Sequence, residues 1–213
     1  MDRGIPFIIL ENPVWHYGDK PATYTFGYNG LNGCAYVPRA PDVPRCHPRL
    51  QEWKEPYTGQ ITVFGQVEND KALRGLDIRE WADWVRSIVP ESVFREHPVM
   101  VDPNRTTLEP IEDVLARTSI AITYTSTVGA ESVIQGIPTY ALAEGSLAYP
   151  VAAHSLADVP VLPCRDEWIH GLSWRHWSTN EALDTEYILS GYEEALAMAQ
   201  RGEYDNMSNG NAQ

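Results

Sequence analysis

Residues 121–141 read AITYTSTVGAESVIQGIPTYA, and the way this stretch folds decides the architecture. Ile120-Ala121-Ile122-Thr123-Tyr124 has the length and β-branched content of a buried parallel strand. Ser126 or Thr127 is placed to cap a helix running to about Gln135, and Gly136 to close it. Pro138 then opens a second short apolar run, a strand over 137–142. A helix N-terminus presents unpaired amides and a positive dipole end, so the small-residue turn suits a phosphate. Glu131, in the first helical turn, can accept two hydrogen bonds from a ribose diol. The same residues have a plainer use, with Glu131 complementing the helix dipole and Gly129 making the turn.

Working outward, the same alternation continues. Residues 60–64 read as a strand ended by Gly65. Asp77 caps a helix through Val89 that carries Ile78, Trp81, Val85, Ile88 and Val89 on one face. Pro90 stops it, and a strand over 92–95 leads into Glu96-His97-Pro98. A short helix over 110–117 precedes the opening strand. Beyond 142 the pattern predicts a small strand over 159–162 and a helical region from Asp166 to about Ala199. Strand–helix alternation of this kind predicts an α/β fold, a Rossmann-like parallel sheet with helices on both faces.

Residues 1–57 differ in texture. They hold one clear strand, 6–10, and then a long run of aromatics, Gly, Asn and Pro with many turn signals. So long an irregular segment suits function better than filler. The domain expectation is therefore an irregular, aromatic-rich segment 1–57, a Rossmann-like domain 58–200 and a polar tail 201–213.

Of the chain's 213 residues, 43% are hydrophobic and 21% charged, ordinary for a globular protein. No apolar run approaches the ~20 residues of a membrane span. The opening Met1-Asp2-Arg3-Gly4-Ile5-Pro6 lacks the basic and apolar regions of a signal peptide. Three cysteines, Cys34, Cys46 and Cys164, show no C-x-x-C spacing, which argues against a disulfide framework or a zinc site. The expectation is a cytoplasmic protein with no metal site and no membrane partner. The net charge of −13 opposes nucleic-acid binding, yet it is unevenly spread. Residues 1–60 balance six acids with six bases, while the remainder carries 23 acids against 10 bases. A local neutral-to-basic face on the first part is compatible with that distribution.

In an open α/β sheet, ligands bind outside the carboxyl ends of the strands. That rule selects residues 65–70 after the first strand of the sheet, 95–98 after the second, 125–129 after the third, and 144–146 after the fourth, with Glu131 close by on the helix that follows the third. Together they could hold a diphosphate, a ribose and a base edge. Singly, each has an ordinary use as a turn residue, a core histidine or a surface charge.

The segments GQVENDKALRG (65–75), FREHP (94–98), STVGAESVIQGIPT (126–139) and GSLAYPVAAHSL (145–156) resemble the donor-binding half of GT-B-type glycosyltransferases. The likeness is to capsule-type sugar transferases and, more closely, to a phage and prophage family of small DNA-modifying glycosyltransferases. YGDK (17–20), GYNGLNGCAY (27–36) and WIHGLSWRHWST (168–179) resemble that phage family too. The resemblance implies a nucleotide-sugar donor, a UDP-sugar first, and no further cofactor. It implies donor contacts at Gly65, Gln66, Ser126, Thr127, Gly129 and Glu131, with Arg95 and His97 neutralising the departing diphosphate. Arg175 is a further donor-side candidate. A full enzyme of this type has two Rossmann-like lobes, whereas this chain carries only the end of the first.

The acceptor side then falls to the N-terminal segment, with Trp15, His16, Tyr17, Lys20, Asn29, Asn32 and Arg39 as candidates. Aromatics interleaved with cations, Arg45 and Arg49 among them, suit an extruded base and its phosphates. They equally suit a sugar, or simple packing. Asp19 is the first candidate for the general base that deprotonates an acceptor hydroxyl, with Glu11 and then His16 as rivals, and His97 is the remaining catalytic candidate. The resulting expectation is transfer of a hexosyl or pentosyl unit to a hydroxymethylated pyrimidine in phage DNA, 5-hydroxymethylcytosine first. The alternatives are a glycan or small-molecule acceptor, or a non-catalytic nucleotide-binding module. Completion of the cleft by a homodimer is a further expectation.

Overall fold

A computed structural model describes residues 4–15, 23–102, 104, 109–178 and 185–203. The described residues form two compact units, one from within 4–48 and 164–203, the other from within 49–163. The first unit begins with β1 (Ile8–Glu11) and β2 (Thr23–Tyr28), and the chain leaves it before Arg49.

The second unit is an α/β layer structure. Its strands are β3 (Gln60–Phe64), β4 (Val93–Arg95), β5 (Thr118–Thr123) and β6 (Thr139–Ala141), parallel throughout and ordered β4-β3-β5-β6. Its helices are α1 (Ile78–Ile88), α2 (Pro98–Val101), α3 (Ile111–Arg117) and α4 (Val128–Ile134). Alternation along β3 and β5 sends side chains to opposite faces. Ile61, Val63, Ile120 and Ile122 pack with Ile78, Trp81, Ala82 and Val85 of α1 on one face. Phe64 and Ala121 pack with Val114 and Leu115 of α3 on the other. Asp77 starts α1 by accepting from the amides of Arg79 and Glu80.

From β3 the chain crosses to β4 on one side. It then returns past β3 to β5 and continues outward to β6. The direction of winding therefore reverses between β3 and β5, which makes their carboxyl ends the topological switch point.

Residues 49–57 are ordered without being helix or strand. The amide of Gln51 donates to Ile134 O and that of Lys54 to Gly136 O. Lys54 Nζ donates to Leu115 O, Ala116 O and Thr118 O at 2.7–3.0 Å, capping the end of α3. Gly136 closes α4 at φ +71°, and a Cβ there would lie 2.0 Å from Glu52 O.

Returning to the first unit, the chain forms α5 (Asp166–Arg175), β7 (His176–Ser178), α6 (Thr185–Ser190) and α7 (Tyr192–Gln200). β2 pairs antiparallel with β1 on one side and β7 on the other. One face of this sheet is apolar, with Phe26, Tyr28 and Trp177 packed among Trp174, Tyr187 and Ala195. The other face carries Thr23, Thr25, His176 and Ser178, all buried. Trp15 lies flat on His176, with ring centroids 3.7 Å apart. Val14 N–H donates to His176 Nε2 at 2.9 Å, so the ring carries its proton on Nδ1, which faces Leu172 O.

Several expectations change here. The segment 1–57 is less irregular than its turn signals imply, because β2 and the turn after it complete a sheet with β1. The boundary at 57/58 moves to 48/49, and residues 164–200 join the N-terminal unit, because β7 pairs with β2. The helical region 166–199 is interrupted by that same strand. No strand forms over 159–162: Pro160 and Pro163 supply no ladder donor, and Val159 is 80% exposed. Instead Ala153 makes a parallel bridge with Tyr140.

Candidate functional site

The carboxyl ends of β3, β4 and β5 bring together most of the donor-side candidates within the second unit. Gly65 follows β3, and its amide donates to Arg95 O at 2.9 Å. A Cβ on Gly65 would stand 3.0 Å from the Phe94 ring, so its small size serves the close approach of β3 to β4. Gln66 is buried at the switch point. Its Oε1 accepts from Thr125 N at 3.2 Å and from Thr125 Oγ1 at 3.0 Å, while its Nε2 donates to Asp70 Oδ2 at 3.2 Å.

The turn into α4 is satisfied largely from within. Ser126 Oγ accepts from Val128 N at 3.3 Å, and Ser126 O accepts from Gly129 N at 3.0 Å. The amides of Ala130 and Glu131 both donate to Thr127 O. The open amide cradle expected at this helix start is therefore reduced. Gly129 is required by packing: a Cβ there would stand 2.8 Å from Thr123 Oγ1 and 3.5 Å from Ser146 Oγ.

Glu131 is different. It is half-buried and makes no side-chain hydrogen bond among the described residues, and desolvation pushes its carboxyl up to about 7. Glu112 on α3 pushes the same way, and Arg95 opposes both. Arg95 itself, at the end of β4, is half-buried. Desolvation lowers its pKa, against the pull of the Glu109, Glu131 and Glu112 carboxylates. One arm of its guanidinium donates to Glu109 O at 3.2 Å. Arg117 pairs with both carboxylate oxygens of Glu109, which leaves Arg95 as the cation acting on Glu131. His97 caps α2, its Nδ1 accepting from Val99 N at 3.3 Å. A neutral His97 thus carries its proton on Nε2.

The remaining candidates belong to the first unit. Arg175 is buried, with Nε donating to Phe26 O at 3.2 Å and Nη2 to Asn32 O at 2.8 Å. Glu11 Oε1 accepts from Asn32 N at 2.5 Å. Asn29, at φ +57°, accepts from Phe7 N and donates to Ala195 O. Trp15 is a core residue against His176. Arg39 is surface-exposed and 3.9 Å from Asp42. Arg45 is turned inward: it donates to Ser173 O and His176 O and lies 3.9 Å over the Trp177 ring. His16, Tyr17, Asp19 and Lys20 lie outside the described residues.

Two features escaped the sequence reading. Arg79 on α1 pairs with Glu68 at 3.0 Å and Glu96 at 2.5 Å, tying the loop after β3 to the loop after β4. Glu112, Glu109 and Arg117 set the electrostatics around Arg95 and Glu131. Their spacing carries no motif, since only the parallel pairing of β3 with β4 and β5 brings these groups together. Among the described residues no group of acidic, His or Cys side chains could hold a metal ion, and no helix is long and apolar enough to cross a membrane.

No family model matches the chain, and no curated protein matches it. Among solved structures it is similar to Thermosulfurimonas dismutans KpsC, a beta Kdo 2,7 transferase, at 16% identity and a TM-score of 0.41. The match covers 75% of this chain and 56% of that one, so the chain spans little more than half of that protein's length. A likeness of this size carries no argument about fold or activity. The four-stranded parallel sheet stands on its own strand pairing.

Proposed function

We propose that the chain is a nucleotide-sugar-dependent glycosyltransferase whose donor binds at the carboxyl edge of the second unit's sheet. The observation that supports this most directly is Glu131, a half-buried carboxylate that no described residue hydrogen-bonds, under the influence of Arg95 and next to the switch point. Its carboxyl is not sealed from solvent, so the donors of a ligand can reach it. A ribose diol would supply two donors to it. The departing diphosphate would be met by Arg95 and His97, with Ser126 and Thr127 beside them. The sequence resemblance of residues 65–75, 94–98, 126–139 and 145–156 to GT-B donor lobes supports the same reading.

The acceptor is a hydroxyl. Hydroxymethylated pyrimidine in DNA is the acceptor suggested by the phage resemblance. The inward-turned Arg45 and the net charge of −13 favour a glycan or small-molecule hydroxyl instead, since DNA affinity is carried by available Lys and Arg.

The test mixes the protein with a panel of nucleotide sugars, UDP-sugars first, and with three acceptor classes: oligosaccharides, small alcohols, and DNA containing hydroxymethylcytosine or hydroxymethyluracil. Mass spectrometry reads the products. A hexose or pentose mass on any acceptor supports the reaction, and the acceptor that gains it identifies the class. Absence of nucleotide binding by calorimetry would remove the donor site and leave no basis for the proposal.

A further inference from the structure

The structure assigns Gln66 the role of a positioning residue, one that holds the β5–α4 turn in the geometry that receives the nucleotide, without touching the nucleotide itself. This rests on the donor-site reading above and departs from it at one residue, since sequence resemblance places Gln66 among the donor contacts. Three observations carry it.

First, the side-chain amide of Gln66 is already committed at both ends. Thr125 N–H can only donate and the Asp70 carboxylate accepts, so the orientation of the amide is fixed, with Oε1 toward Thr125 and Nε2 toward Asp70. Second, the bridge spans the reversal in winding between β3 and β5, beyond the end of their ladder, because the parallel pairing of those strands ends at Val63 with Ile122. Third, Asp70 is itself anchored, its Oδ1 accepting from Ala72 N at 2.9 Å. The chain of contacts runs from the loop after β3, through Gln66, to the residue immediately before Ser126 and Thr127. On the other side of β3, Arg79 links Glu68 to Glu96, next to Arg95 and His97. The loop after β3 is thus the common support of the two loops that would bind the diphosphate.

The arrangement makes a sharp test possible. In Gln66→Glu the new carboxylate can still accept from Thr125 but faces the Asp70 carboxylate. Adding Asp70→Asn restores a donor to that contact while its amide oxygen can still accept from Ala72 N. Binding of the nucleoside diphosphates UDP, GDP, ADP, CDP and dTDP is measured by calorimetry for the wild type, Gln66→Ala, Gln66→Glu and the double variant, together with hydrogen exchange at the Thr125 amide.

With the best-bound nucleotide, Gln66→Ala and Gln66→Glu are expected to weaken affinity about tenfold, roughly 1.4 kcal/mol, and to speed exchange at Thr125. The double variant is expected to recover most of both. Wild-type affinity in Gln66→Ala, with faster exchange at Thr125, would overturn the role and leave the donor site standing. Lost affinity that the double variant does not recover, while it does recover slow exchange, would make Gln66 a direct contact and also overturn the role. Failure of the wild type to bind any of the five would overturn the donor reading and this role with it. Should Gln66→Ala not fold, the comparison of Gln66→Glu with the double variant decides the matter.

Discussion

Glu131 concentrates the functional argument in a single carboxyl. Its pKa of about 7 in the folded chain lies above the ordinary value near 4.5. Between those values the folded protein holds a proton that the unfolded chain releases, so stability falls as pH rises through that window and levels off above about 7. Glu131→Gln removes this cost, and at pH 8 the variant should be more stable than the wild type by on the order of 2 kcal/mol. The two proteins should converge near pH 4.5. Urea midpoints at pH 5 and pH 8 check the sign, and a wild-type midpoint that rises with pH would refute it. A diol donates to the ionised form, so nucleotide affinity should increase as pH rises through 7. Glu131→Gln should lose that dependence along with most of the affinity, a trade of function for stability. The glycines at this scale separate by cause. Gly136→Ala meets the Glu52 carbonyl at 2.0 Å at a positive φ, whereas Gly129→Ala meets a threonine hydroxyl at 2.8 Å. Thermal unfolding should show the larger loss for Gly136→Ala, about 3 kcal/mol or more, against about 1–2 for Gly129→Ala.

Among the elements, the segment joining the two units shows how a chain without regular structure can be fixed in place. Within the first unit, His170 contacts Pro41 O, Trp174 Nε1 donates to Val43 O, and Arg45 bonds Ser173 O and His176 O while lying over Trp177. Within the second, Lys54 caps α3. Arg45→Lys keeps the charge and loses the planar fork that reaches two carbonyls and stacks on indole. Its expected cost is about 1–3 kcal/mol, read as a lower denaturation midpoint. Unchanged stability would mean that the stacked geometry contributes nothing. Sequence reading found α1 and β3–β5 because their hydrophobic periods are strong and Asp77, Pro90 and Gly65 punctuate them. It missed β2 and β7, because Thr23-Tyr24-Thr25-Phe26 and His176-Trp177-Ser178 bury a polar face, and polar-in packing has no signature in a hydropathy pattern.

For the molecule as a whole, charge bears on the proposed acceptor. With a net charge of −13 and Arg45 withdrawn into the first unit, duplex DNA should bind only at low salt. Fluorescence anisotropy on a hydroxymethylcytosine duplex should show no saturable binding at 150 mM salt, where electrostatic contacts are screened. Saturable binding there would return DNA to first place among acceptors. The donor-side candidates Gly65, Gln66, Arg95, His97, Ser126, Thr127, Gly129 and Glu131 all lie in the second unit. Arg175 falls in the other unit, because the strand that follows it pairs with β2.

By itself the sequence determined the parallel sheet, since four apolar β-branched runs separated by capped helices have few other ways to bury their faces. It also determined which loops gather at the sheet's carboxyl edge, because parallel strands deliver every such loop to the same end. What each residue does there was decided by tertiary structure. Gln66 and Glu131 are both polar residues near strand ends, yet one is hydrogen-bonded at both ends of its amide across the switch point and the other is half-buried with no described residue bonded to its carboxyl. That difference depends on partners about 60 residues away for Gln66 (Thr125) and on Arg95 and Glu112 for Glu131. Burial and long-range pairing set the chemistry of a polar side chain, and neither is written in its neighbours along the chain.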